Sequence, residues 1–233
     1  MGNMIPVKAH DGGTFNAYLS VPRSGKGPGL LVLQEVFGVN DHIRAVTDRW
    51  AADGFVALAP DIFWRVEPGL NLGYTQESML KAREIRGKLD MELVYKDIAS
   101  TQAALKARSE CNGRTACVGY CFGGFLTFMT AATTDVQAGV CYYGGGIERV
   151  MDRASSIKCP IMFHWGGQDG GIPIASREAV RKGLAGYDLA EYYFYPDAQH
   201  GFNCDMRPSY NEAAAGLALT RSREFLKRTL GAS

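Results

Sequence analysis

The chain has 233 residues, of which 46% are hydrophobic and 21% are charged, and its formal net charge is +1. This length suits one α/β domain over 1–233, and the balanced charge gives no reason to expect a nucleic acid or a membrane as partner. The N-terminus predicts no signal peptide, and no stretch reaches the roughly 18 apolar residues of a membrane span.

Six cysteines occur without CxxC spacing, at positions 111, 117, 121, 141, 159 and 204. This pattern favours reduced thiols in a cytoplasmic protein over a disulfide framework or a zinc site. No metal site, nucleotide loop or organic cofactor is predicted. The glycine clusters at 144–146 and 166–167 lack the G-x-G-x-x-G spacing of a nucleotide loop and are better explained as tight turns at strand ends. The sequence leaves the oligomeric state open, with a slight preference for a monomer.

Apolar runs predict strands that alternate with helices along the chain. The first element is a hairpin over 7–21 that turns at Asp11-Gly12-Gly13 and precedes a loop at 24–29. The other strands are predicted at 30–34, 55–59, 115–118, 138–143, 159–164 and 190–195. Helices are predicted at 41–53, 77–108 with a break near 87–90, 125–132, 174–184 and 209–230. This alternation is typical of a mostly parallel central sheet with helices on both faces.

One connection is unusually long for a compact domain. Residues 62–74 are rich in glycine, proline and aromatic residues, and they lead into the charged helical stretch that begins at 77. A connection of this length beside a sheet is more often an active-site lid than a linker. Residues 62–90 are therefore a candidate lid segment within the single domain.

A glycine-rich turn, Gly119-Tyr120-Cys121-Phe122-Gly123-Gly124, joins a predicted strand to a predicted helix. It reads G-x-C-x-G, close to the G-x-S-x-G nucleophile elbow of α/β-hydrolases, where glycines prevent a collision with the neighbouring strand or helix. The helix N-terminus favours a thiolate over a thiol. Cys121 is therefore a candidate nucleophile, although a small cysteine packed at a tight strand–helix junction fits the same pattern.

Other reactive side chains follow other predicted strands. Glu35 follows the 30–34 strand, Asp169 follows the 159–164 strand and His200 follows the last strand. Because ligand sites of parallel sheets lie at the carboxyl ends of the strands, we expect these residues to meet Cys121. The order nucleophile, acid, histidine is that of α/β-hydrolases, in which the histidine accepts the proton of the nucleophile and the acid holds the imidazole.

Backbone groups and the remaining histidines complete this prediction. The N–H groups of Phe122 and Val36 are the predicted oxyanion hole, worth about 2.7–4 kcal/mol per donor. The other histidines lie in the hairpin, at a helix start and within a strand, and we expect them to be structural: His10, His42 and His164.

Five motifs together resemble the dienelactone hydrolase (carboxymethylenebutenolidase) family: Gln34-Glu35-Val36-Phe37-Gly38, Gly119-Tyr120-Cys121-Phe122-Gly123-Gly124, Tyr142-Tyr143-Gly144, Gly166-Gly167-Gln168-Asp169 and His200-Gly201-Phe202. The resemblance spans nearly the whole chain. It implies an α/β-hydrolase fold and a triad of Cys121, His200 and Asp169. It also implies hydrolysis of a small-molecule lactone or ester, namely dienelactone to maleylacetate, through an acyl-enzyme at Cys121.

The resemblance implies further site residues. Glu35 matches a carboxylate that takes the thiol proton in the resting enzyme and yields to the histidine when substrate arrives. Tyr142 matches a tyrosine that lines the family's active site. Phe37 and Phe202, which lie in two of the motifs, are candidate substrate contacts.

The chain departs from the family at the arginines that bind the carboxylate of dienelactone. In the family, one arginine lies in the helical lid and one follows the catalytic histidine, whereas here Met79 falls at the lid position and Cys204 lies in the segment after His200. The basic candidates nearby are Lys81, Arg83, Arg86 and Arg207. Two alternatives stay open: a hydrolase of neutral esters, thioesters or phosphotriesters, and a non-catalytic binding protein on a hydrolase scaffold.

Overall fold

A computed structural model describes residues 1–231, in which eight strands form one sheet. The strand order across the sheet is β1-β2-β4-β3-β5-β6-β7-β8. The strands are β1 (Asn3–Lys8), β2 (Thr14–Ser20), β3 (Gly27–Leu33), β4 (Val56–Pro60), β5 (Cys111–Tyr120), β6 (Gly139–Tyr142), β7 (Ile161–Gly166) and β8 (Ala190–Tyr195). The pairs β1–β2 and β2–β4 are antiparallel, and all other pairs are parallel.

The helices cover both faces of this sheet. They are α1 (Asp41–Ala52), α2 (Gln76–Gly87), α3 (Met91–Lys106), α4 (Phe122–Thr133), α5 (Ile174–Gly183) and α6 (Glu212–Leu230). The crossover through α1 runs toward β1, whereas the crossovers through α3, α4 and α5 run toward β8. Because such crossovers are right-handed, opposite directions place the helices on opposite faces. The predicted mostly parallel sheet with helices on both faces is confirmed. None of the helices within 1–231 has the length and apolarity needed to cross a bilayer.

The central strands form the core that holds the site. Leu30 to Leu33 of β3 and Val56 to Ala59 of β4 have no exposed surface. Burial of each large apolar side chain contributes about 1.5–3 kcal/mol. Because both faces of these strands are packed, the loops at their carboxyl ends start from fixed positions.

Several boundaries differ from the sequence prediction, among them the starts of β3, α4 and α6. Residues 27–29, predicted as loop, begin β3, where Gly29 pairs with Thr115. A Cβ at Gly29 would lie 2.8 Å from the Leu105 side chain, so the glycine allows α3 to pack closely over the strand. Helix α4 begins at Phe122, three residues before its predicted start. Helix α6 begins three residues after its predicted start, because the Asn211 side chain accepts from the Ala214 N–H at 3.0 Å and caps it.

The segment 62–90 is packed in this structure. The Asp61 carboxylate accepts hydrogen bonds from the N–H groups of Phe63 and Gly69, at 3.1 and 2.7 Å. The N–H of Leu72 donates to the Phe37 carbonyl at 2.9 Å. The predicted break near 87–90 separates α2 from α3, which Asp90 caps. These contacts bring α2 to the carboxyl edge of the sheet.

The junction between β5 and α4 depends on Gly123. A Cβ at this residue would lie 2.0 Å from the carbonyl oxygen of Leu33 and 2.7 Å from that of Gln34. Real Cβ atoms do not approach an oxygen so closely. Helix α4 therefore lies nearer to the end of β3 than it could with any residue other than glycine at position 123.

Replacement of Gly123 by alanine should lower the free energy of unfolding by about 3 kcal/mol, because the start of α4 must move away from β3. Gly216→Ala is the matched control, since a Cβ at this helical glycine would meet open space. The control should leave stability unchanged or raise it by about 0.5–1 kcal/mol. Urea unfolding followed by circular dichroism measures both. Equal effects would contradict the close approach of α4 to β3.

Candidate active site

Cys121 lies at the N-terminus of α4 in a backbone conformation that side chains rarely adopt. Its φ is 55° and its ψ is −112°, a type of strain that costs of order 1–3 kcal/mol. Its N–H donates to the Tyr142 carbonyl at 3.0 Å, and its own carbonyl accepts from Gly124 at 2.9 Å. The neighbouring strand and the helix therefore hold the turn, and the half-buried thiol faces a cavity.

This cavity has a volume of about 600 Å³. The loops after β3, β5, β6, β7 and β8 line it, together with one face of α2. The sequence-predicted site residues found in its lining are Val36, Phe37, Arg83, Arg86, Cys121, Phe122, Asp169, His200 and Arg207. Residues distant in the chain therefore meet at the carboxyl edge of the sheet, where ligand sites of such sheets occur.

Asp169 and His200 form a hydrogen-bonded pair beside the cavity. Nδ1 of His200 lies 2.8 Å from Oδ2 of Asp169, and the N–H of Gly171 donates to Oδ1 at 2.9 Å. Burial lowers the pKa of His200, but negative charge at Cys121 and the hydrogen bond to Asp169 raise it by more, to about 10. The pair therefore favours a positively charged imidazole next to a negatively charged group.

The Glu35 carboxylate is fully buried and is held by two partners. Tyr74 Oη donates to Oε2 at 2.9 Å, and Arg207 Nη1 donates to Oε1 at 3.3 Å. Burial and the charge of Glu35 raise the pKa of Tyr74, so its phenol stays protonated and remains a donor. Within residues 1–231, no hydrogen bond joins Glu35 to Cys121. The carboxylate expected to hold the thiol proton is instead bound by Tyr74 and Arg207.

Arg207 reaches this carboxylate because the segment after His200 folds back on itself. The N–H of Cys204 donates to the Gly201 carbonyl at 2.9 Å, and the N–H of Arg207 donates to the Cys204 carbonyl at 3.1 Å. Gly201 has a φ of +78°, and a Cβ there would lie 2.5 Å from Arg207 Nη1. The glycine therefore leaves room for the guanidinium to enter the site.

Helix α2 contributes one face to the cavity. Met79, Arg83 and Arg86 follow the i, i+4, i+7 spacing of one helical face, and all three line the cavity. The Arg86 guanidinium lies 4.9 Å from the centre of the Phe122 ring. Lys81, an expected substrate contact, lies outside the cavity lining, because it projects from another face and its Nζ donates to Glu67 at 2.8 Å.

Two aromatic residues expected at the site also lie outside the cavity lining. Tyr142 is fully buried, with Oη 2.8 Å from Ser222 Oγ. Tyr143, which the sequence did not single out, is the residue whose ring packs against His200, with centroids 5.1 Å apart. Phe202 is fully buried and packs against the Tyr143 ring at 5.2 Å. Tyr143 has a φ of 37°, a turn at the end of β6 that strand alternation does not predict.

Two backbone N–H groups of residues that line the cavity have no hydrogen-bond acceptor within residues 1–231. The N–H groups of Val36 and Phe122 donate to no backbone or side-chain acceptor within residues 1–231, and both residues line the cavity. The Phe122 N–H is one of the unpaired groups at the start of α4, where the helix dipole favours negative charge. An anion that forms above Cys121 could therefore accept from both donors.

The predicted structural role of His164 agrees with its surroundings. Its ring is fully buried, with Nδ1 2.9 Å from Tyr195 Oη and Nε2 2.9 Å from Ser222 Oγ. Burial lowers the pKa of His164 to about 3, so the ring is neutral.

Comparisons with known proteins point to one family. The profile described as the dienelactone hydrolase family matches residues 15–230. A carboxymethylenebutenolidase from Pseudomonas sp. strain P51 is 34% identical over 226 residues, which cover 96% of this chain and 94% of that protein.

Solved structures show the same fold. A proposed dienelactone hydrolase from Klebsiella pneumoniae subsp. pneumoniae superposes with a TM-score of 0.87, at 27% identity over 98% of both chains. A dienelactone hydrolase-like promiscuous phosphotriesterase from metagenomic libraries superposes with a TM-score of 0.81, at 23% identity over 99% of both chains. The predicted α/β-hydrolase fold is confirmed.

Replacement of Asp169 by asparagine should lower the pKa of His200, because an amide does not stabilise the imidazolium as a carboxylate does. The raised pKa of the folded state contributes stability that is fully present below about pH 6.5 and is lost as the pH rises through about 10. The free energy of unfolding should therefore differ most between wild type and Asp169→Asn below about pH 6.5. Ring-proton NMR titration measures the pKa of His200, and urea unfolding at several pH values measures the difference in stability. An unchanged His200 pKa in Asp169→Asn would contradict the prediction.

Proposed function

The chain belongs to the dienelactone hydrolase family, and we propose that it opens a lactone or ester that carries a carboxylate, with Cys121 as the nucleophile. Family membership makes the protein a hydrolase of small-molecule lactone or ester bonds, which sets aside a non-catalytic binding protein. The proposal rests on one observation: Cys121, the Asp169–His200 pair and three of the sequence-predicted basic residues line the same cavity.

The proposed reaction has two stages. In the first, His200 accepts the thiol proton and Cys121 Sγ attacks the carbonyl carbon of the substrate. The ester C–O bond then breaks, the leaving oxygen takes up the proton from His200, and a thioester at Cys121 remains. In the second stage His200 accepts a proton from water and the hydroxyl attacks the thioester carbon. The C–S bond then breaks, Cys121 Sγ takes back the proton from His200, and the acid product leaves. Asp169 holds the imidazole in the required orientation throughout.

The proposed oxyanion hole consists of the Phe122 and Val36 N–H groups. Both lack another acceptor and line the cavity, so neither must give up a hydrogen bond when the carbonyl oxygen becomes negative. Donors fixed in this way contribute about 2.7–4 kcal/mol each to stabilisation of the transition state.

Glu35 is proposed to take the thiol proton in the resting enzyme and to yield to His200 when substrate arrives. Its carboxylate accepts a hydrogen bond from Arg207 and carries no exposed surface. A substrate carboxylate that binds Arg207 competes with Glu35 for the guanidinium. Substrate binding would therefore change the contacts of Glu35 at the stage where His200 takes over the thiol proton.

Arginine side chains support an anionic substrate. Arg207 supplies a guanidinium to the site although the segment directly after His200 holds Cys204, and α2 adds Arg83 and Arg86 although Met79 occupies the expected lid position. Guanidinium groups bind carboxylates through paired hydrogen bonds. We therefore propose dienelactone as the substrate and maleylacetate as the product, with a neutral ester, thioester or phosphotriester as the alternative that the tests below address.

Replacement of Cys121 by alanine should lower the hydrolysis rate of cis- and trans-dienelactone by about 10⁴-fold or more, because no thioester can form. Cys121→Ser should also be poor, since a hydroxyl ionises far less readily than a thiol. Ultraviolet absorbance of the lactone measures the rates, and Cys111→Ser is the control for loss of a thiol elsewhere. Full activity in Cys121→Ala would rule out the proposed nucleophile.

Replacement of Arg86 or Arg207 by glutamine should lower kcat/KM for dienelactone by about 10- to 100-fold, because each arginine is proposed to donate charged hydrogen bonds to the substrate carboxylate. Turnover of a neutral aryl ester should change less, and the ratio of the two activities isolates recognition of the anion. Arg207→Gln also removes a partner of Glu35, which would affect turnover of both substrates. The ratio of the two activities separates that effect from recognition of the anion. Lys81→Gln is the matched control outside the cavity. An unchanged ratio in both arginine variants, or ester turnover without lactone turnover in wild type, would favour a neutral substrate.

A further inference from the structure

A buried cluster of metal-ligating side chains includes the Glu35 carboxylate. Glu35, His42 and Cys204 each offer one ligand atom, and the three atoms lie within 4.8 Å of one another. All three residues are buried, with exposed fractions of 0%, 1% and 0%. They come from the loop after β3, the first turn of α1 and the loop after β8. Three different ligand types thus meet where water does not reach them.

One ring nitrogen of His42 has no partner in the fold. Nδ1 lies 3.4 Å from Oδ1 of Asp205, whereas Nε2 is buried and has no hydrogen-bond partner within residues 1–231. The Asp205 carboxylate favours the tautomer that carries its proton on Nδ1, which leaves a free lone pair on Nε2. Histidines that bind metals commonly present one nitrogen to the metal and direct the other toward a carboxylate. His42 therefore has the arrangement of a metal ligand.

We propose that Glu35, His42 and Cys204 form a binding site for Zn²⁺, and that occupation of the site inhibits the enzyme. Zn²⁺ binds carboxylate oxygen, imidazole nitrogen and thiolate sulfur at about 2.0–2.3 Å in tetrahedral geometry. These lengths place ligand atoms about 3.3–3.8 Å apart, so atoms that lie within 4.8 Å of one another need to close by about 1.5 Å at most. On binding, the Cys204 thiol releases its proton to solvent as the Zn–S bond forms, and water takes the fourth position.

The charges of the cluster suit a divalent cation. The Glu35 carboxylate and the Cys204 thiolate neutralise the two positive charges of Zn²⁺, and the imidazole adds a neutral ligand. Arg207, which pairs with Glu35 and lines the cavity, must turn toward the cavity to admit the ion. Bound Zn²⁺ would then hold the carboxylate that is proposed to accept the thiol proton. Inhibition rests on the proposed function, whereas binding of the ion does not.

Binding is tested in a Cys121→Ser background, which removes the thiol that faces the cavity. Equilibrium dialysis should find one Zn²⁺ per chain, and Co²⁺ should give a thiolate-to-cobalt charge-transfer band and the visible bands of a tetrahedral ion. Further replacement Cys204→Ser or His42→Gln should weaken binding by about tenfold or more, and Cys204→Ser should remove the charge-transfer band. Cys111→Ser is the control for a thiol outside the cluster and should change neither result. Mg²⁺, which prefers oxygen ligands, should not compete.

The outcomes separate the site from the proposed reaction. Unchanged Zn²⁺ affinity in the Cys121→Ser, Cys204→Ser variant, or no binding in Cys121→Ser alone, would overturn the proposed site. Serine is nearly isosteric with cysteine, so the Cys204→Ser variant should fold and keeps the test valid if His42→Gln fails to fold. In wild type, Zn²⁺ should reduce lactone or ester hydrolysis reversibly, and Cys204→Ser should weaken this inhibition at least as much as it weakens binding. Binding at the cluster without inhibition would overturn the inhibitory role, whereas an inactive metal-free wild type would contradict the proposed function alone.

Discussion

The close approach of α4 to the end of β3 is the constraint on which the site depends. Because Gly123 has no Cβ, the first turn of the helix lies against the carbonyl groups of Leu33 and Gln34. This contact fixes the start of α4 next to the loop that carries Glu35 and Val36. The strained backbone of Cys121 is held in the same way, since the packed strands and the helix determine it from both sides. One steric contact therefore sets the relative positions of the thiol, two N–H donors and a carboxylate.

The electrostatics of the site follow from burial of that carboxylate. An isolated charge at the fully buried Glu35 would be strongly destabilising, so the fold supplies Arg207 and Tyr74 as partners. The same guanidinium faces the cavity, where an anionic substrate would bind. Stability of the resting site and recognition of the substrate thus depend on one side chain, and any group that draws Arg207 away removes a hydrogen-bond partner from Glu35. The pair formed by Asp169 and His200 differs from the Arg207–Glu35 pair. Neither of its side chains is proposed to bind the substrate carboxylate, so the substrate does not compete for their hydrogen bond.

Local sequence patterns predicted the fold and most of the site, but they could not predict contacts made by folded-back segments. The strand–helix alternation gave the sheet, and the strand ends identified Cys121, Asp169 and His200, because these features depend on neighbours in the chain. The pairing of Arg207 with Glu35 depends on two successive turns after His200, for which only Gly201 gives a local sign. Lys81 and Tyr142 were placed in the site by motif or proximity, but the phase of α2 and the end of β6 direct them elsewhere.

The segment after His200 links anion recognition to the buried cluster. A cysteine at position 204 carries no charge for a substrate, and Arg207 supplies the guanidinium from three residues further along the chain. The turn that brings Arg207 over Gly201 also leaves the Cys204 thiol close to Glu35 and His42. An arginine at position 204 would put a positive charge next to these ligands and repel a cation. Arg207 therefore provides a positive charge at the cavity, whereas the Cys204 thiol lies behind it beside Glu35 and His42, the other two proposed Zn²⁺ ligands.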